Sequence, residues 1–258
     1  MDWGALITST LKLYQQAARE SWEKGARSWW VGLLPLLYGP IFVISSLLAA
    51  RLFGPLGGFI SGFILAMCVS SYLYFIAGVV SGRRMSLREF GDSWRPYLSS
   101  AISILFLFFV VQYLLDLLTP PGDATAMMLA SLIELILLVI LNPIPEIIYQ
   151  GRSEGLAMVQ ESIDFLKGNG VEWFLPFVIL AFLSVFLLPL PVLAGPLQFG
   201  RLTFPTSAGG LPLGSLYGLL WSILSAFLLF ALMVFRGFLF RALSGSTRRQ
   251  RLFRARWS

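Results

Sequence analysis

Apolar positions in this chain gather into six long runs: 29–51, 57–80, 98–118, 126–148, 173–194 and 214–238. A helix rises about 1.5 Å per residue, so about 20 apolar residues cross the ~30 Å hydrocarbon core of a bilayer. Each run is long enough. None alternates in the ten-residue pattern of a membrane barrel. The runs therefore predict six transmembrane helices in a single membrane domain, residues 1–258.

Between the runs the pattern changes. Residues 3–22 place Trp3, Leu6, Ile7, Leu11, Tyr14, Ala18 and Trp22 at helical spacing, with Lys12, Gln15, Gln16, Arg19 and Glu23 on much of the rest. That pattern predicts an amphipathic helix over 3–28, lying in the membrane interface. Residues 86–95 begin with a capping-box pattern, Ser86 to Glu89, and put Leu87, Phe90 and Trp94 on one face. Residues 153–167 put Leu156, Val159, Ile163 and Leu166 on one face, and Gly168 is a natural terminator. Each interfacial helix precedes a pair of spans. The expected fold is thus all-α, with six spans and three interfacial helices, readable as three helix-plus-hairpin units. The N-terminal segment reads as amphipathic rather than as a cleavable leader.

Composition agrees with lipid as the solvent. The chain is 57% hydrophobic and 12% charged, against about 45–50% and about 25% in soluble proteins. It has no His, and its single Cys (Cys68) excludes an intrachain disulfide and a thiolate cluster. No nucleotide loop, zinc-protease pattern or nucleophile elbow is present, and no carboxylates pair at catalytic spacing. The expectation is a protein that is not an enzyme, with no cofactor and no metal site.

Charge gives a direction. Seventeen of the 19 Lys and Arg lie in the N-terminal segment, the loops after spans two and four, and the tail from Arg236; the other two are Arg51 and Arg201. Positive loops stay cytoplasmic, so both termini are expected there, in a bacterial inner membrane. The tail 239–258 interleaves Arg248, Arg249, Arg251, Arg254 and Arg256 with Leu252, Phe253 and Trp257, a composition suited to anionic lipid headgroups. Nucleic acid is not needed to explain the charge. A membrane-protein partner or a homo-oligomer remains open.

Three polar features stand out within the spans. Glu134 lies in span four and Gln112 at similar depth in span three; they can bond to each other, or Glu134 can serve as a proton or cation site. Asn142-Pro-Ile-Pro-Glu146 either forms a small polar cup or ends span four, with Glu146 among the headgroups near Arg152; the second is preferred. Gly58, Gly62, Ala66 and Ser70 recur every four residues along span two. Such a seam packs another helix closely, within the monomer or as a dimer or sliding face. Prolines 35, 40, 143, 145, 176, 189 and 191 break or kink the spans, as in transporters, or are tolerated bends.

Two stretches, AGVVSGRRMSLREFGDSWRPYLSSAISILF from Ala77 to Phe106 and IIYQGRSEGLAMVQESIDFLKGNGVEWFLPF from Ile147 to Phe177, carry a family likeness. The second holds Gly151, Ala157, Ser162, Leu166, Lys167, Gly168 and Asn169 in a segment that re-enters the membrane. The layout resembles a loose group of uncharacterised bacterial six-span membrane proteins, including the YciC-like ones. That resemblance implies an inner-membrane location and no established activity. The resulting expectation is an accessory, assembly or scaffold subunit acting through partners or lipids. The alternative is a transporter or permease subunit using Glu134 and the proline-broken helices.

Overall fold

The computed structural model describes residues 3–120, 123–151, 153–186 and 216–245. All regular structure among them is helical: α1 (Trp3–Arg27), α2 (Leu34–Phe53), α3 (Gly57–Ser81), α4 (Leu98–Leu118), α5 (Ala124–Leu141), α6 (Ile144–Gln150), α7 (Ala157–Phe186) and α8 (Leu216–Ser244). Five stretches are long and apolar enough to cross a membrane: Trp29–Phe53, Gly57–Ser81, Leu98–Leu118, Ala124–Gln150 and Ser222–Ser244. The expected span 173–194 is described only as far as Phe186, and the tail beyond 245 lies outside the described residues.

Local chemistry explains the ends. Asp123 caps α5, its carboxylate accepting from the amides of Thr125 at 2.9 Å and Ala126 at 3.0 Å. The α2–α3 connection is tight because Gly54 takes a positive φ of 55° and Gly57 lies against the backbone of α2. A Cβ on Gly57 would stand 2.7 Å from the Ala49 carbonyl oxygen.

The three segments expected to be interfacial helices take three different forms, so the backbone does not repeat across them. The first is α1, which packs on α8 and α3. The second is only a 3-10 turn, Leu87–Gly91, closed by the Ser86–Glu89 capping box. The third is no separate helix. α7 runs unbroken through Gly168 and Gly170 into the apolar half of the same helix. Each helical Gly costs about 1 kcal/mol against Ala. Phe165, Trp173 and Phe177, all buried on one side of α7, outweigh that cost.

α7 also carries Pro176 inside its apolar half. A proline cannot bond the carbonyl four residues back, here that of Glu172. The Tyr14 hydroxyl of α1 donates to this carbonyl at 2.7 Å. Burial, with Glu172 nearby, pushes the Tyr14 hydroxyl up to about 12, so it remains a donor.

The core is asymmetric. Buried side chains fill the later halves of α3 and α8, together with α6 and the adjoining faces of α1 and α7. At the other end Phe59, Leu118 and Met128 are about 70% exposed. α4 packs chiefly on α3 and α5 chiefly on α7, so the α4–α5 hairpin does not close on itself. The packed end, where α1, α3 and α8 finish, is the basic end of the bundle, with Lys24, Arg27 and Arg241 in the last turns of α1 and α8.

Candidate functional site

The site starts from a break that the prolines impose. Pro143 and Pro145 have no N–H, so the helix stops at Leu141 and restarts as α6 at Ile144. Two carbonyls at the break find partners elsewhere. The Ser162 hydroxyl of α7 donates to the Ile140 carbonyl. Arg236 Nη2 of α8 donates to the Asn142 carbonyl at 2.5 Å.

Arg236 does more than satisfy the break. Its Nε donates to Glu146 Oε1 at 2.8 Å and its Nη2 to Oε2 at 2.7 Å, and both side chains are 0% exposed. The guanidinium carbon lies 5.1 Å from the Trp173 ring centroid and 5.4 Å from that of Phe177. Trp173 Nε1 donates to Asn142 Oδ1 at 2.9 Å. Asn142, Glu146, Trp173 and Arg236 thus form one closed polar cluster tying α5, α6, α7 and α8.

The desolvation cost of two buried charges is several kcal/mol each, and only good geometry offsets it. Here the fork-to-carboxylate match, the carbonyl bond and the aromatic faces supply that geometry. A Lys could not reproduce the two-point match. The neighbouring glycine permits the approach. A Cβ on Gly237 would stand 2.6 Å from both the Tyr149 hydroxyl and Val80 Cγ2. Gln150 Nε2 also donates to the Gly237 carbonyl at 2.9 Å.

The other expected site residues lie elsewhere. The preferred reading of Glu146 among headgroups gives way, because its carboxylate is fully buried against Arg236. Arg152 is outside the described residues. Gln112 and Glu134 do not meet. Gln112 Nε2 donates to Asp116 Oδ1 at 3.1 Å on its own helix, and Glu134 is exposed on α5. The reason is the splayed hairpin, whose helices pack on different neighbours.

The small-residue seam divides. A Cβ on Gly58 or Gly62 would meet nothing within 4 Å, whereas Ala66 and Ser70 are buried. Ser70 holds a loop rather than a helix. Its hydroxyl donates to the Trp94 carbonyl at 2.5 Å and accepts from the Tyr97 amide at 3.2 Å. Ser71 beside it bonds Tyr38 at 2.6 Å and Ser93 at 2.5 Å. Arg248, Arg249, Arg251, Arg254 and Arg256 lie outside the described residues.

Arg236 and Trp173 are the residues that sequence reasoning missed as site members. Arg236 carries a signal: it falls inside the apolar run 214–238 as well as heading the basic tail. A cation within a span is a site candidate by default.

No family model, no curated protein and no solved structure matches this chain. Its class rests on its own architecture: among the described residues, all regular structure is helical and five helical stretches are able to cross a membrane.

Proposed function

We propose that this chain is a non-enzymatic multi-pass membrane protein of the bacterial inner membrane, with both termini cytoplasmic. It works as an accessory, assembly or scaffold subunit, binding another membrane protein through α5. One observation carries this reading. Glu134 is exposed on α5, ten residues from its start at Ala124, or about 15 Å along the helix. A carboxylate facing hydrocarbon costs a few kcal/mol unless it is neutralised or paired. A neighbouring helix that offers a donor or a cation removes that cost. The resemblance to YciC-like proteins bears only on the inner-membrane location.

The broken helices favour a second reading. Prolines lie inside α2 and α7, and α5 parts from α6 at Pro143. In a transporter, Glu134 would take up a proton or cation as such helices move.

The test is extraction in native lipid discs, with co-purifying proteins identified by mass spectrometry for wild type and Glu134→Leu. A stoichiometric membrane protein that is lost with Glu134→Leu supports the subunit reading. A partner retained by the variant sinks the α5 interface. A lone protein whose proton-coupled uptake is abolished by Glu134→Gln supports transport instead.

A further inference from the structure

We infer that Lys24 of α1 and Arg241 of α8 form a binding site for the phosphodiester of an anionic phospholipid at the basic end of the bundle. The inference is independent of the reading of Glu134.

Three spans have their ends at this point. Lys24 stands five residues before the span Trp29–Phe53, Gly82 directly follows Gly57–Ser81, and Arg241 lies in the last turn of Ser222–Ser244. Packing of α1 on α8 and α3 brings these ends together. The site therefore falls where hydrocarbon gives way to headgroups.

Both cations are drawn to one ring. Lys24 Nζ lies 5.0 Å from the Phe238 centroid, and the Arg241 guanidinium carbon lies 5.6 Å from it. The two charges are thus no more than about 11 Å apart, close to the ~8 Å screening length at physiological salt. Phe238 is buried, so both cations stand against a fixed ring.

Neither cation has a carboxylate within 4 Å among the described residues. Of the acids of α1, Glu23 pairs with Arg19, and Glu20 accepts from the Gln16 amide at 2.9 Å. Lys24 Nζ lies 3.5 Å from where a Cβ on Gly82 would stand, beside the carbonyl end of α3. A helix end carries only about half a negative charge. It explains where Lys24 sits but does not balance two full cations.

A phosphodiester supplies what is missing. It carries one negative charge spread over two unesterified oxygens, placed where two cations lack a carboxylate. A lipid is favoured over a free phosphate by position and by neighbours. Trp22 and Trp29, which flank Lys24, are 79% and 57% exposed. Tryptophan prefers the headgroup level, and basic pockets between spans there bind anionic lipids.

The test uses the full chain in discs of phosphatidylcholine, with or without phosphatidylglycerol. Its three lysines, Lys12, Lys24 and Lys167, are acetylated and quantified by peptide mass spectrometry. Phosphatidylglycerol should slow acetylation of Lys24 relative to Lys12 by about fivefold, the factor for one basic residue at an anionic surface. Arg241→Gln should weaken that protection with an unchanged melting curve. If it does not fold, Arg241→Lys should retain the protection. An unchanged Lys24 to Lys12 ratio, or full protection in Arg241→Gln, overturns the site. Equal protection by millimolar glycerol phosphate in pure phosphatidylcholine overturns its assignment to a lipid.

Discussion

Arg236 and Glu146 are 90 residues apart in sequence and meet through two parallel hydrogen bonds of 2.8 and 2.7 Å, both side chains fully buried. Removing one member strands the other as an uncompensated buried charge. Arg236→Met should therefore cost about 3–5 kcal/mol. The double variant Arg236→Met/Glu146→Leu should recover much of that loss, because no charge is left to desolvate. Thermal unfolding in one detergent checks both. A double variant as unstable as the single would show that the cluster contributes through its packing and carbonyl bond, not through charge balance.

Tyr14 and Pro176 make a second coupled pair, through the Glu172 carbonyl. Tyr14→Phe should cost about 1 kcal/mol by removing that hydrogen bond. In a Pro176→Ala background the helix regains its own N–H, and the cost should largely vanish. The measurement is a four-protein cycle of unfolding midpoints. Equal costs in both backgrounds would sink the idea that the tyrosine serves the proline.

Glycines on two spans should respond in opposite ways. Gly237→Ala would push a Cβ to 2.6 Å from Val80 Cγ2 and the Tyr149 hydroxyl, and should cost about 1–3 kcal/mol. Gly62→Ala meets open space and should stabilise the monomer by up to about 1 kcal/mol, the difference in helix propensity. If Gly62→Ala alters the oligomeric state in size-exclusion with light scattering, the open half of the seam packs against another copy.

Acidification should act on the loop held by Glu89. The Tyr74 hydroxyl donates to its carboxylate at 2.7 Å, and Arg83 pairs with it at 2.9 Å. The Tyr74 bond, helped by the Ser86 amide and Arg83 against some desolvation, holds the Glu89 carboxyl below the ordinary carboxylate range. A depressed folded value means that the stabilisation is complete above the unfolded value, about 4.3, and fades as pH falls through the folded one. The difference in melting temperature between wild type and Glu89→Gln should be constant near neutrality and shrink below about pH 4. A constant difference down to pH 3 would assign the effect of the substitution to geometry alone.

Much of this architecture is local and was therefore readable in advance. The run Leu98–Leu118 has the same bounds in sequence and structure, because a continuous apolar stretch of that length declares a helix without reference to its neighbours. Ser86 and Glu89 close their box three residues apart. Asn142-Pro-Ile-Pro-Glu146 advertised a break, since a missing N–H acts within its own turn.

What the tertiary structure alone decided is which helix lies beside which. Gln112 turned to Asp116 on its own helix because α4 and α5 lean on different partners. Gly168 failed to end α7 because Phe165 and Trp173 are buried on one side of it, a gain that no local rule contains. Glu146 found Arg236 instead of the headgroups because α6 and α8 pack together, helped by Gly237. Hydrophobic periodicity reports on neighbours three and four residues apart. A pairing across 90 residues depends on packing between helices, and that is settled only when the chain folds.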